Sequence, residues 1–285
     1  MKGTASCFGA GTIVNAIATG KGAAFGLALR ATATVAVGPA ERGVVVHVPP
    51  DAEPRLAEGC ARRVLRRSRR KAGLEVSVDS EIPISRGLKS SSAVANAVTL
   101  ASARALNIEL EPESLIRIGV DAALEAGVTI TGAYDDACAS FYGCIVLTDN
   151  PSRRILKVDR FPGGFVVVVQ VPRRMITKPS LRGLDFSRIR DEVDDAFRLA
   201  LQGDYFHALE RNSAAYARVL GIDDSPAVRA RAAGAIAAGI TGTGPAIVAL
   251  TKPAHVESVA RALAADDAEV RVVSLNVTEA REVSA

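Results

Sequence analysis

At 285 residues the chain is long enough for one large domain or two smaller ones, each built around a substantial core. Hydrophobic residues make up 48% and charged residues 23%, an ordinary globular composition, while Trp is absent and aromatics reach only 4%, so Ala, Val, Ile and Leu must fill the core. The net charge of +4 suits a small anionic ligand and is too weak for a nucleic-acid binder, and no apolar run reaches the ~18 residues of a membrane span.

Residues 4–8, 12–18 and 25–37, rich in Thr, Val, Ile and small side chains, are expected as strands, followed by a short β-branched run at 44–48. Asp51 offers an N-cap for a helix through about 71, with Leu56, Cys60, Val64 and Leu65 on one face. Residues 74–82 alternate as a half-buried strand. Residues 93–106 form an apolar, Ala-rich helix, and 112–126 a second one with Gly127 as its C-cap. Asp136 starts a short helix to Tyr142. The second half predicts strands at 144–149, 155–159 and 165–171 and helices at about 186–202, 204–220 and 226–238. A glycine loop and strand (240–250), a helix at 254–265 and a strand at 269–275 complete the chain. Strands and helices mixed in this way point to an α+β fold. The turn-rich stretch near 149–164 suggests a division into residues 1–150 and 151–285.

Cys7, Cys60, Cys138 and Cys144 form no CxxC pair and have no His at ligand spacing, so reduced thiols are expected. With no long apolar segment near the start, the expectation is a cytoplasmic protein without a membrane partner. The basic run ARRVLRRSRRK (61–71) reads as a solvated helix face, with RNA or an acidic partner the minor alternative. His47, His207 and His255 are too scattered to be assigned catalysis.

The chemistry gathers at SRGLKSSSAVANA (85–97). Gly87 permits a sharp turn after the strand. The amides at the start of the next helix lack intrahelical acceptors and, with the macrodipole, favour an anion. Ser90, Ser91 and Ser92 add hydroxyl donors that can also ligate a hard cation, and Lys89 adds positive charge. Phosphate held with Mg²⁺ matches these properties; simple helix capping is the alternative, although one serine would suffice for that. In VTITGAYDDACASFYG (128–143), Asp135 or Asp136 could orient a hydroxyl that attacks a phosphoryl group. Glu125 ends a helix, where the macrodipole disfavours it, which makes it a weak candidate metal ligand. In ITGTGPAIVAL (240–250) the backbone at Gly242 and Gly244 can approach a ligand closely. Arg173, Arg174 and Lys178 in VPRRMITKPS (171–180) could meet an acidic substrate's carboxylate.

Together and in this order, GAGTIVNAIATGKGAAFGL (9–27), P-x-x-x-x-GLKSSSA (83–93) and TGTGPA (241–246) resemble the GHMP kinases, and the wording around GLKSSSAVANA and TGAYDDACAS is closest to the archaeal-type shikimate kinases. The resemblance implies an N-terminal domain like domain 2 of ribosomal protein S5, a ferredoxin-like C-terminal domain and a site between them. It implies ATP and Mg²⁺ as cofactors and phosphoryl transfer to the shikimate 3-hydroxyl. Homoserine kinase or another small-molecule kinase of the superfamily is the alternative, and a catalytically silent nucleotide- or metabolite-binding relative is the alternative from another class. By this resemblance Gly87, Leu88, Lys89, Ser90, Ser91, Ser92 and Ala93, with Gly242, Thr243 and Gly244, would hold the nucleotide. Ser91, Ser92 and Glu125 would hold the metal. Glu125 stands eleven residues before Asp136, the family's spacing, which selects Asp136 as the catalytic acid with Asp135 as its alternative. Asn15 and Lys21, with Arg173, Arg174 and Lys178, are the acceptor-side candidates. Two departures stand out: the serine loop is one residue longer than usual, and Thr12 replaces a customary Lys or Arg. The cation missing there would come from Lys21.

Overall fold

The computed structural model describes residues 1–282, and the side chains of all of these except residues 178, 179, 281 and 282. Two sheets organise the chain. In the first, β1 (Lys2–Val14) and β2 (Lys21–Gly38) form a long antiparallel hairpin. β4 (Gly73–Ser80) pairs with the second half of β2, and β5 (Ile145–Asp149) with its first half. β3 (Val44–His47) runs parallel to β4, β6 (Arg154–Asp159) pairs with β5, and the late strand β11 (Arg281–Glu282) returns to β1.

The expected strands at 4–8 and 12–18 merge into one continuous β1, which stops at Val14, so that residues 15–18 belong to the turn into β2. The division expected at residue 150 falls inside a hairpin of this first sheet, which also keeps β6.

In β2, Ala31, Ala33 and Val35 are buried and alternate with less buried Thr and Arg, the pattern of a strand with one face on the core. That face receives α2 (Ser90–Ala105), which is buried along most of its length. Its small side chains let it lie close to the sheet. α1 (Pro54–Ser68) and α3 (Pro112–Glu125) pack on α2 and on each other. Glu53, not the expected Asp51, caps α1: its carboxylate accepts from the Arg55 amide, and Pro54 fills the first helical position. Leu56, Ala57, Cys60, Ala61 and Val64 form its buried stripe. α4 (Tyr134–Tyr142) starts two residues earlier than expected, which puts both Asp135 and Asp136 in its first turn.

The second sheet has the antiparallel order β10-β7-β9-β8, from β7 (Val166–Pro172), β8 (Ala237–Ile240), β9 (Ile247–Thr251) and β10 (Ala268–Ser274). With α5 (Arg190–Gln202), α6 (Tyr205–Leu220) and α7 (Ser225–Ala232) between β7 and β8, and α8 (Val256–Leu263) between β9 and β10, this is the ferredoxin-like arrangement. The helix expected at 226–238 stops at Ala232 because residues 237–240 are claimed by pairing with β9, a tertiary demand that local composition does not announce. The main core runs through both sheets, and a smaller cluster under α7 and α8 includes Val168, Ala230, Ile240 and Leu263.

All four cysteines are buried and free, as expected of small core residues. Among the described residues no helix is long and apolar enough to cross a membrane.

Candidate active site

Four connections converge: 15–20 between β1 and β2, 81–89 between β4 and α2, 126–133 between α3 and α4, and 241–246 between β8 and β9. The serine loop ends at Lys89, which is the N-cap of α2 in the left-handed region (φ 65°, ψ 34°). Its side chain makes no capping hydrogen bond, and Ser90–Ser92 occupy the first three helical positions. The serines therefore do not cap the helix. They ring an open N-terminus, with amides and hydroxyls available together to an anion. Gly87 (φ 86°) lies so close to the 241–244 turn that a Cβ there would meet the Thr241 carbonyl at 2.1 Å.

A buried lattice locks the three motifs together. The Thr12 amide donates to Thr241 Oγ1 (3.0 Å), and the Gly242 amide donates to Thr12 Oγ1 (2.8 Å). Thr241 Oγ1 donates to the Gly87 carbonyl (2.9 Å), and Asn15 Nδ2 to the Gly242 carbonyl (2.8 Å). Asn212 and Tyr216 of α6 hold the backbone of Asn15. On the outer flank, Arg86 donates to the carbonyls of Pro172, Ile84 and Arg173. Thr12, at the position where the resemblance implied a cation, is used here as a hydrogen-bonding bolt.

The cation comes from elsewhere. Lys89 Nζ lies 3.1 Å from Asp136 Oδ1, and their side chains are only 9% and 13% exposed. Lys21, expected in this role, is exposed and lies over the Phe197 ring, away from the aspartates. The reason lies in two segments that meet in space. The left-handed turn at residue 89 and the absence of a Cβ on Gly242 leave a slot for the ammonium; a Cβ at 242 would meet Nζ at 2.7 Å. The ion pair is close but not aligned as a hydrogen bond, so Asp136 Oδ1 is buried without a hydrogen-bond partner among the described residues.

Asp135 is more deeply buried, at 3% exposure. Its Oδ1 accepts from Asn150 Nδ2 (2.8 Å), and its amide donates to Asn150 Oδ1 (3.2 Å), which also accepts from Thr148 Oγ1 (2.7 Å). Burial, reinforced by the neighbouring Asp136 charge, pushes the Asp135 carboxyl up to about 7; Lys89 and Asn150 oppose the shift.

Two adjoining cavities meet at these residues. The outer one, about 400 Å³, is lined by Gly87–Ser92 of the serine loop, by residues of the 126–133 loop, by Ile176 and Thr177, and by Gly242 and Thr243. The inner one, about 40 Å³, is lined by Thr12, Asn15, Thr129, Thr131, Asp135 and others. Lys89, Asp136, Gly242 and Thr243 border both, whereas Asp135 borders only the inner cavity.

Of the remaining expected residues, Ala93 is buried behind the loop, and Gly244 lies outside both linings, its amide closing the turn onto the Thr241 carbonyl. Glu125 is not brought to the site: its side chain is 68% exposed and pairs with Arg63 at 2.5 Å. Its position at the end of α3 sends it toward α1, so the eleven-residue spacing does not yield a ligand here. No cluster of three or more His, Cys, Asp or Glu side chains suited to a metal exists among the described residues. Arg173 lines a separate groove of about 680 Å³ with Arg86 and Arg271, and Arg174 is exposed outside both cavities. The Lys178 side chain lies outside the described residues.

The basic helix face pairs partly with acids, Arg62 with Glu58 and Arg63 with Glu125, as a solvated face does. His47 and His207 sit on the surface beside Glu75 and Asp204, and none of the three histidines borders either cavity. Sequence reasoning missed Asn150, Thr129, Thr131, Asn212 and Arg86. Arg86, Thr129 and Thr131 lie within the stretches 85–97 and 128–143 already singled out, and their place there could have nominated them; Asn150 and Asn212 carried no local signal.

A family model described as the GHMP kinases N terminal domain matches residues 55–144, and one described as GHMP kinases C terminal matches 228–268. A protein named shikimate kinase from Methanosarcina mazei is 38% identical over 286 aligned positions, covering 100% of this chain and 97% of its own. One from Pyrococcus furiosus is 39% identical (92% and 96% covered), and one from Methanothrix thermoacetophila is 43% identical (88% and 85%). Among solved structures, a homoserine kinase from Cytophaga hutchinsonii superposes with TM-score 0.76 at 20% identity, covering 99% of this chain and 98% of its own. Lactococcus lactis galactokinase complexed with galactose gives 0.78 at 14% identity (99% and 95%). With full-length relatives at this level of identity and the family's fold in both sheets, the chain belongs to the GHMP kinases, in the branch that holds these shikimate kinases.

Proposed function

We propose that this protein is an ATP-dependent shikimate kinase that transfers the γ-phosphoryl group to the 3-hydroxyl of the ring. The identity of 38–43% to proteins of that name supports the substrate. The observation that carries the chemistry is Asp136: its side chain borders both cavities, and its buried Oδ1, 3.1 Å from Lys89, lacks a hydrogen-bond partner among the described residues. An acceptor hydroxyl placed in the inner cavity supplies that partner. Asp136 orients it and takes its proton as the phosphoryl oxygen bond forms.

The outer cavity has the volume of a nucleotide site. The amides and hydroxyls at 90–92 and the Lys89 ammonium hold the polyphosphate, with Gly87, Leu88, Gly242 and Thr243 as its floor. Because Lys89 borders both cavities, it neutralises charge on the transferring group while holding the acid in place. The donor set suits Mg²⁺: the hydroxyl oxygens of Ser91 and Ser92, at an open helix N-terminus, would hold it together with phosphate oxygens of the nucleotide. Bound there, the ion would supply charge neutralisation across the phosphates. Asn15, fixed by α6, shapes the acceptor side. The serine-loop half, which keeps β6, and the ferredoxin-like half act as two domains that meet at the site, divided after β6 rather than at residue 150.

A coupled assay offering ATP with shikimate, homoserine or mevalonate separately tests this reading. Turnover with shikimate is expected. Turnover with homoserine alone would overturn the substrate, and tight ATP binding without turnover on any acceptor would favour a silent relative.

A further inference from the structure

We propose that Asp135 is a specificity-determining residue: its carboxyl hydrogen-bonds a second acceptor hydroxyl, beside the one phosphorylated, and so selects ring polyols over single-hydroxyl acceptors. This rests on the reading above, in which Asp136 serves the reacting hydroxyl.

Asp135 and Asp136 are consecutive in the first turn of α4, so their side chains diverge by about 100° around the helix axis. The divergence gives them different views. Asp136 borders both cavities, where phosphoryl transfer must occur; Asp135 borders the inner one alone. A carboxyl that does not reach the junction is badly placed to act on the reacting hydroxyl. It is well placed to touch the acceptor.

Its seat is built. Asn150 grips it from both sides, donating to Oδ1 and accepting from its amide, and Thr148 fixes the Asn150 carbonyl in turn. Gly22 of β2 clears the other side, where a Cβ would meet Asp135 Oδ2 at 2.3 Å. Burying a second carboxyl beside Asp136 with a single Lys is costly, and burial raises its affinity for a proton. A carboxyl that exchanges between charged and neutral forms near neutrality can accept from a hydroxyl or donate to one.

Size agrees. About 40 Å³ holds roughly three water-sized groups and no whole ring. The acceptor therefore inserts a hydroxylated edge, with its body at the junction. Both aspartates line this space from successive positions of α4, so each can meet a different hydroxyl of one ring edge.

The test compares kcat/KM for shikimate and for its 4-deoxy and 5-deoxy analogues in the wild type, D135A, D135N and G22A. A buried polar group built for a substrate hydroxyl rejects the analogue lacking it by about 10²-fold or more. The wild type is expected to disfavour the 4-deoxy analogue, which lacks the hydroxyl beside the reacting one, by that factor, with the 5-deoxy analogue as the control; discrimination against the 5-deoxy analogue alone would contradict the placement of Asp135. D135A should lose about 10²-fold on shikimate but less than about threefold on the 4-deoxy analogue, bringing the two level, and D135N should recover part of the difference. G22A, which displaces the carboxyl without touching the acceptor, should weaken the same discrimination and provides the reading if D135A does not fold. The proposal is overturned if the wild type does not discriminate, or if D135A loses equally on shikimate and both analogues. Failure of the underlying reading looks different: no wild-type turnover on shikimate, or full activity in D136N.

Discussion

Replacing Lys89 by Met probes the pair on which the site's electrostatics depends. At 3.1 Å, with an effective dielectric of about 20, the Lys89–Asp136 attraction is about 5 kcal/mol before desolvation of the two groups is subtracted. Both side chains are largely buried, so screening by water and salt removes little of it. Deleting either partner leaves the other as an uncompensated buried charge, which costs about 3–5 kcal/mol. K89M should therefore be destabilised by about that much, with D136N somewhat less because the amide is neutral and can still bond. The double variant K89M/D136N, with no orphaned charge, should be more stable than the sum of the single losses by at least about 2 kcal/mol. Equilibrium urea unfolding of all four proteins at neutral pH, without nucleotide, measures this coupling. Additivity within about 0.5 kcal/mol would refute the pair as an energetic unit and return the search for the cation to Lys21 or another residue.

The other expectations are quickly stated. D136N should lower kcat by about 10²–10⁴ with little change in ATP affinity, and finding this loss in D135N instead, on every acceptor, would shift the catalytic role by one residue. S92A should raise the KM for Mg²⁺–ATP about tenfold; unchanged kinetics would remove Ser92 from the metal's surroundings. E125Q should stay within about twofold of wild type in kcat/KM, because Glu125 is exposed and paired with Arg63, and a tenfold loss would reinstate it as a ligand. The Asp135 carboxyl, near 7 in the folded protein against an ordinary 3.8, stays protonated while the unfolded chain ionises, so wild-type stability falls as pH rises through that interval. The Tm of D135N minus that of wild type should therefore grow from pH 4 to pH 7 and then level off; a difference that shrinks over this range contradicts the assigned environment.

Short-range signals carried the sequence reading a long way. A glycine turn, a lysine and three serines before an apolar Ala-rich helix marked the anion site, because turn geometry and helix termini are properties of neighbouring residues. The α+β class followed from the mixture of predicted strands and helices and is borne out by two antiparallel-rich sheets, and the family resemblance followed from motif order and is borne out by the matching family models. Through-space pairing decided the rest. Lys89 rather than Lys21 faces the aspartate because Gly242, 153 positions later in the chain, leaves room for it. Spacing nominated Glu125, but the end of α3 hands it to Arg63 on α1. Residues 237–240 leave a helical pattern because β9 needs an edge partner. The resemblance selected Asp136 over Asp135 only by its spacing from Glu125, and it is the packing of α4 against Gly22, Asn150 and the serine loop that separates the one at the junction from the one behind it. Composition and local periodicity report what a residue prefers; what it touches is set when distant segments compete for the same buried space.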